Sequence, residues 1–102
     1  MNEEIILQTE DVKVRLITLQ PGEGNAWHHH SEITDTMFGV AGKVVVRCAD
    51  PEEEIILAPG VRCSVTPGRL HKVENLLVRE TSRYLLIQGV GTYDFIPSQS
   101  EM

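Results

Sequence analysis

Four histidines occur in this chain. Three are consecutive, His28, His29 and His30 after Trp27, and His71 stands apart in a later segment. Imidazole is the commonest neutral metal ligand, and its ordinary titration lies near neutral pH. Side chains alternate across a strand, so His28 and His30 share one face and His29 points away. Two imidazoles on one face, joined by a third from a distant segment, supply the makings of an open metal site. Three neutral imidazoles, with or without a carboxylate, suit one divalent transition metal: Fe, Mn, Ni, Zn, Co or Cu.

The elements that must position these residues read as β-strands. Residues 12–19 begin with strict alternation (Val12, Lys13, Val14, Arg15) and then turn apolar. Residues 43–48 form a β-branched run, and residues 54–58, 61–66, 71–78 and 83–90 read as strands too. Turn signals separate them at Pro21-Gly22, Ala41-Gly42, Asp50-Pro51, Pro59-Gly60 and Pro67-Gly68. No segment sustains helical periodicity. Short strands with regular Gly/Pro punctuation predict an all-β sandwich or barrel. Pro59-Gly60 and Pro67-Gly68 bracket one strand and deliver His71 at the start of the next, where Val73 and Asn75 share its face. Ile5-Ile6-Leu7 reads as an edge strand that a second copy would cover, so a homodimer built through the N-terminal strands or a sheet face is expected.

Composition narrows the function classes. The chain has 102 residues, 41% hydrophobic and 24% charged, with a net charge of −6. That length predicts one domain. An acidic chain with scattered Arg and Lys disfavours nucleic acid and anionic membrane as partners. No apolar stretch approaches the ~20 residues that span a bilayer, and the first residues lack the basic and small-residue pattern of a signal peptide. A cytoplasmic location is the expectation. Cys48 and Cys63 then read as free thiols packed as small apolar groups.

The spaced residues Gly22, His28-X-His30, Asp35 and Gly42 resemble the first signature of the cupins. Gly60, Gly68, His71 and Asn75 resemble the second, with Pro67 one place later than the usual Pro-X-Gly. The resemblance spans residues 22–75. It implies a double-stranded β-helix, an antiparallel jelly-roll barrel with one mouth, over residues 1–102. It also implies metal ligation by His28, His30 and His71. The fourth ligand position is normally Glu, and here it is Asp35. One methylene shorter, its carboxylate would fall about 1.5 Å short on an unchanged backbone. Asp35, Glu32 or water therefore remain open as the fourth ligand. Asp35 off the metal would be a free carboxylate able to serve as a catalytic general base.

Strand parity gives Met37, Val44, Val46 and Val73 as cavity wall, with either Leu85/Ile87 or Leu86/Gln88 on the last long strand. Gln88 is the one polar group expected to orient a substrate. No Arg or Lys is placed in the interior, which favours a small neutral or enolic substrate, and Arg69 beside the mouth leaves a phosphate open. Trp27, Tyr93 and Phe95 read as packing or dimer contacts. Asn75 reads as a partner for loop backbone, and Gly22, Gly42, Gly60 and Gly68 as turn residues in unusual dihedrals. The resemblance implies a metal-dependent enzyme of oxygenase-like or isomerase-like type acting on a small molecule. The competing reading is a non-catalytic cupin that binds or senses a small ligand. A barrel that has lost its metal is a third, which the intact histidines oppose.

Overall fold

The computed structural model describes residues 1–89 and 95–98. Tyr93 and the last four residues, where a frayed tail was expected, lie outside them. The described residues form ten strands and no helix. One sheet has the order β1 (Asn2–Gln8), β2 (Val12–Leu19), β9 (Ser82–Gly89), β4 (Thr34–Ala41), β7 (Arg62–Val65). The other has the order β10 (Ile96–Pro97), β3 (His28–His29), β8 (His71–Asn75), β5 (Val44–Cys48), β6 (Glu53–Leu57). Every pairing within the two sheets is antiparallel. Apart from the β5–β6 hairpin and the β1–β2 pair, consecutive strands change sheet, so residues far apart in sequence meet across the interior.

The strand expected over 12–19 is β2 without change, and Ile5, Ile6 and Leu7 lie in the edge strand β1, all more than half exposed. The strand expected over 71–78 ends earlier, at Asn75. There the side chain takes over the backbone's bonds: Nδ2 donates to Gln20 O (3.0 Å) and Glu80 O (2.9 Å), and Oδ1 accepts from Leu77 N (2.9 Å) and Ser82 Oγ (2.6 Å). This buried amide joins two loops and the start of β9, serving loop backbone as expected. Two strands escaped the sequence reading. β4 carries Thr, Asp and Gly among its apolar residues, and β10 is two residues long.

The core forms where inward faces meet. Ile17, Leu19, Met37, Val65, Tyr84 and Leu86 of the first sheet pack against Val44, Val46, Cys48, Leu57 and Val73 of the second. Fully burying one such side chain contributes roughly 1.5–3 kcal/mol. Cys48 and Cys63 are both buried and unpaired with each other, as expected. Gly22, Gly42, Gly60 and Gly68 all have positive φ, between 70° and 86°. Gly39 is needed for another reason. Its backbone runs against the 57–61 segment, where a Cβ would meet Ala58 O at 2.2 Å.

Candidate metal centre

The register that pairs β3 with β8 sets His28 directly opposite His71. His30 follows one residue beyond β3, its carbonyl accepting from Gly68 N at 2.7 Å. Asp35 enters from the other sheet, near the start of β4. His28, His30, Asp35 and His71 are all buried, and their donor atoms lie within 4.8 Å of one another, a group that could hold a metal ion. His29 is half-buried and outside this group, as alternation predicted. Glu32 is exposed in the bend before β4 and lies outside this group.

Hydrogen bonds orient the rings. Nδ1 of His28 stands 2.7 Å from Ala26 O, and Nδ1 of His71 stands 2.9 Å from Arg69 O. A carbonyl oxygen only accepts, so both Nδ1 atoms carry hydrogen and each ring turns its Nε2 inward. Asp35 Oδ2 lies 3.0 Å from Nε2 of His30 and 3.0 Å from Nε2 of His71. His71 Nε2 and the carboxylate oxygen facing it attract only with a proton or a metal ion between them. Donors in adjacent positions around a metal, each bound at ~2.1 Å, stand roughly 3 Å apart. The residues present therefore fit a divalent metal in both donor chemistry and spacing. The shorter Asp35 side chain reaches its histidine neighbours, because β4 brings its backbone close enough.

The electrostatics agree. Burial alone would raise the Asp35 carboxyl, but hydrogen bonds from His30, His71 and Gln88 outweigh it and hold the group well below the usual carboxylate range. Burial pushes His28 down to about 4, against the opposing bond to Ala26, so the ring is neutral at pH 7. The Phe95 ring stacks on His28 with centroids 4.3 Å apart and planes at 25°. Phe95 thus covers the site histidine, where the sequence suggested only generic packing or a dimer contact.

A cavity of about 140 Å³ opens beside the cluster. Met37, Val73, Leu86 and Gln88 line it as expected, which places the Leu86/Gln88 parity inward and leaves Leu85 and Ile87 half-buried on the outer face. Val44 and Val46 do not line it. They belong to the closed core. Ile17 and Tyr84 take wall positions that the sequence reading missed. Arg69 lies elsewhere, held by Glu53 (3.1 Å) and Pro51 O (3.0 Å). The main correction is Arg15. No Arg or Lys was placed in the interior from the sequence, yet Arg15 is 8% exposed and lines the cavity. The apolar residues Val12, Val14 and Leu16 pointed to the opposite face of β2. The usable signal was that Arg15 shares parity with Ile17 and Leu19, which are both core.

The model of the cupin domain matches residues 15–87. The chain belongs to the cupin family. No curated protein matches it. Among solved structures, this cupin resembles the protein TT1209 from Thermus thermophilus, with 28% identity over 87% of this chain and 82% of that one, at a TM-score of 0.79. It also resembles a double-stranded β-helix protein from Klebsiella pneumoniae, with 21% identity over 97% and 84% of the two chains, at 0.81. A third is a sugar phosphate isomerase of the cupin superfamily from Silicibacter pomeroyi, with 20% identity over 88% and 58%, at 0.72. The fold is the double-stranded β-helix implied by the two sequence motifs.

Proposed function

We propose that this cupin is a metal-dependent enzyme acting on a small organic molecule, with His28, His30, Asp35 and His71 holding one divalent first-row metal. The observation that carries this reading is the 3.0 Å approach of one carboxylate oxygen to two imidazole Nε2 atoms, beside His28 and His71 rings whose Nδ1 atoms are held from behind by backbone carbonyls. A bound metal would supply Lewis acidity, or a site for oxygen beside a chelating substrate. The chain's own residues do the rest. Gln88 Nε2 donates to Asp35 Oδ1 at 3.0 Å and fixes the carboxylate's second oxygen. Phe95 shields His28 from water, and Met37, Val73 and Leu86 give the substrate an apolar wall. The outer face of the first sheet carries Leu7, Val14, Leu16, Phe38, Leu85 and Ile87 in adjacent register, which supports a homodimer through that face.

The test is metal content in protein purified without chelators or affinity resin. Near one equivalent per chain is expected, falling steeply in His28→Ala and His71→Ala variants. Wild type without stoichiometric metal would overturn the reading. With metal bound, oxygen uptake on a panel of catechols, diketones and thiols separates oxygenase chemistry from isomerase chemistry. Binding without turnover in any assay would replace the enzyme with a ligand-binding or sensing cupin.

A further inference from the structure

Arg15 brings a guanidinium to the cavity wall. It is the only Lys or Arg among the described residues lining the cavity. Its Nη2 donates to Gln88 Oε1, and the other end of the same amide donates to Asp35 Oδ1 at 3.0 Å. Gln88 is thereby fixed at both ends, with its oxygen toward the guanidinium and its nitrogen toward the carboxylate of the cluster. Arg15 Nη1 donates to Glu3 Oε1 at 3.0 Å. Glu3 comes from the edge strand β1, lines the cavity and has a side chain 45% exposed. A buried guanidinium beside a cavity, engaged by a half-exposed carboxylate from a sheet edge, has the form of a carboxylate receptor holding a surrogate from its own chain. The guanidinium fork matches carboxylate geometry.

We propose that the cavity takes a small organic carboxylate, whose carboxylate group docks on Arg15 in place of Glu3. Its body lies along Ile17, Tyr84 and Leu86, and its far end faces His28, His30, Asp35 and His71. This rests on the metal reading for the role of the far end, but not for the docking on Arg15. Charge favours the exchange. Around the cavity stand two carboxylates, Asp35 and Glu3, and one guanidinium, so a divalent metal leaves a net charge of about +1. With Glu3 turned out to solvent the charge rises by one more, and an anion is drawn in. The volume of about 140 Å³ limits the ligand to a few carbon atoms beyond its carboxylate.

The test compares lactate with lactamide, its neutral counterpart of the same shape, in calorimetric titrations of the full chain loaded with Mn²⁺ and again after chelator treatment. Metal stoichiometry is measured on the same samples. Lactate is expected to bind at least tenfold more tightly than lactamide. Arg15→Gln should erase that preference. Glu3→Gln should strengthen lactate binding several-fold and leave lactamide unchanged, because it removes the surrogate and not the receptor. Equal binding of the two probes, or no binding of either, overturns the proposal, as does a preference that survives Arg15→Gln. Should Arg15→Gln fail to fold, Glu3→Gln decides alone, and an unchanged lactate affinity sinks the proposal. A charge preference in protein that binds no metal would keep the carboxylate receptor and remove the metal reading. Stoichiometric metal without charge preference would do the reverse.

Discussion

Replacing Asp35 by asparagine or alanine is expected to remove most of the site's metal affinity. Two unit charges 4 Å apart interact by about 4 kcal/mol at an effective dielectric of ~20, and a dication doubles this to roughly 8 kcal/mol. Asp35 is only 3% exposed in the folded chain, so its desolvation is incurred on folding and not again on binding. Metal entry also displaces the present contacts of Oδ2 with His30 and His71. Allowing half the attraction for that exchange leaves about 4 kcal/mol, roughly a thousandfold in Kd. The assay is a competition titration of stripped protein against a chromophoric chelator, with wild type beside Asp35→Asn and Asp35→Ala. Circular dichroism and urea midpoints confirm that each variant folds. A loss below tenfold in both folded variants would show that the carboxylate takes no part in holding the ion, and the reasoning from the 3.0 Å contacts would be refuted.

Asn75→Ala strands the Leu77 amide and two loop carbonyls, while the Ser82 hydroxyl keeps its bonds to the Lys43 backbone. At roughly 1–3 kcal/mol for each group left buried and unmet, a loss of about 3 kcal/mol is expected in urea unfolding, and less than 1 kcal/mol would contradict the hub. His28 in the metal-free protein has its pKa depressed from 6.5 to about 4, so the unfolded chain binds more protons between those values. Its contribution is present above pH 6.5 and is lost as pH falls toward 4, about 3 kcal/mol in all. A His28→Gln variant should flatten that part of the stability-versus-pH curve, and an identical curve would be inconsistent with the shift. Burial pushes the Cys63 thiol up to about 11 and also raises Cys48. Neither is expected to react with a disulfide reagent at pH 7 until the protein unfolds, and rapid labelling of native protein would contradict their burial.

Much of the centre was legible because strand alternation and two turn brackets act locally. Parity separated His28 and His30 from His29, and Pro67-Gly68 placed His71 at the head of a strand. Asp35 was legible as a position but not in its reach, because reach depends on where β4 crosses from the other sheet, a long-range property. Arg15 was misread for a related reason. On β2 both faces carry apolar residues, since Val14 and Leu16 cover the sheet's outer side while Ile17 and Leu19 fill the core. When both faces are apolar, alternation no longer says which is inside. Phe95 could not be assigned to the site from sequence, because only the two-residue pairing of β10 with β3 carries it over His28.

Asp35 belongs to one sheet, and His28 and His71 belong to the other. An ion gripped by all of them is a rivet through the sandwich, tying segments 43 positions apart, from 28 to 71, without any covalent bond. β3 itself is held within its sheet by a single residue pair to β8 and two to β10. A bound ion would add its binding free energy to the fold's resistance to protease and heat.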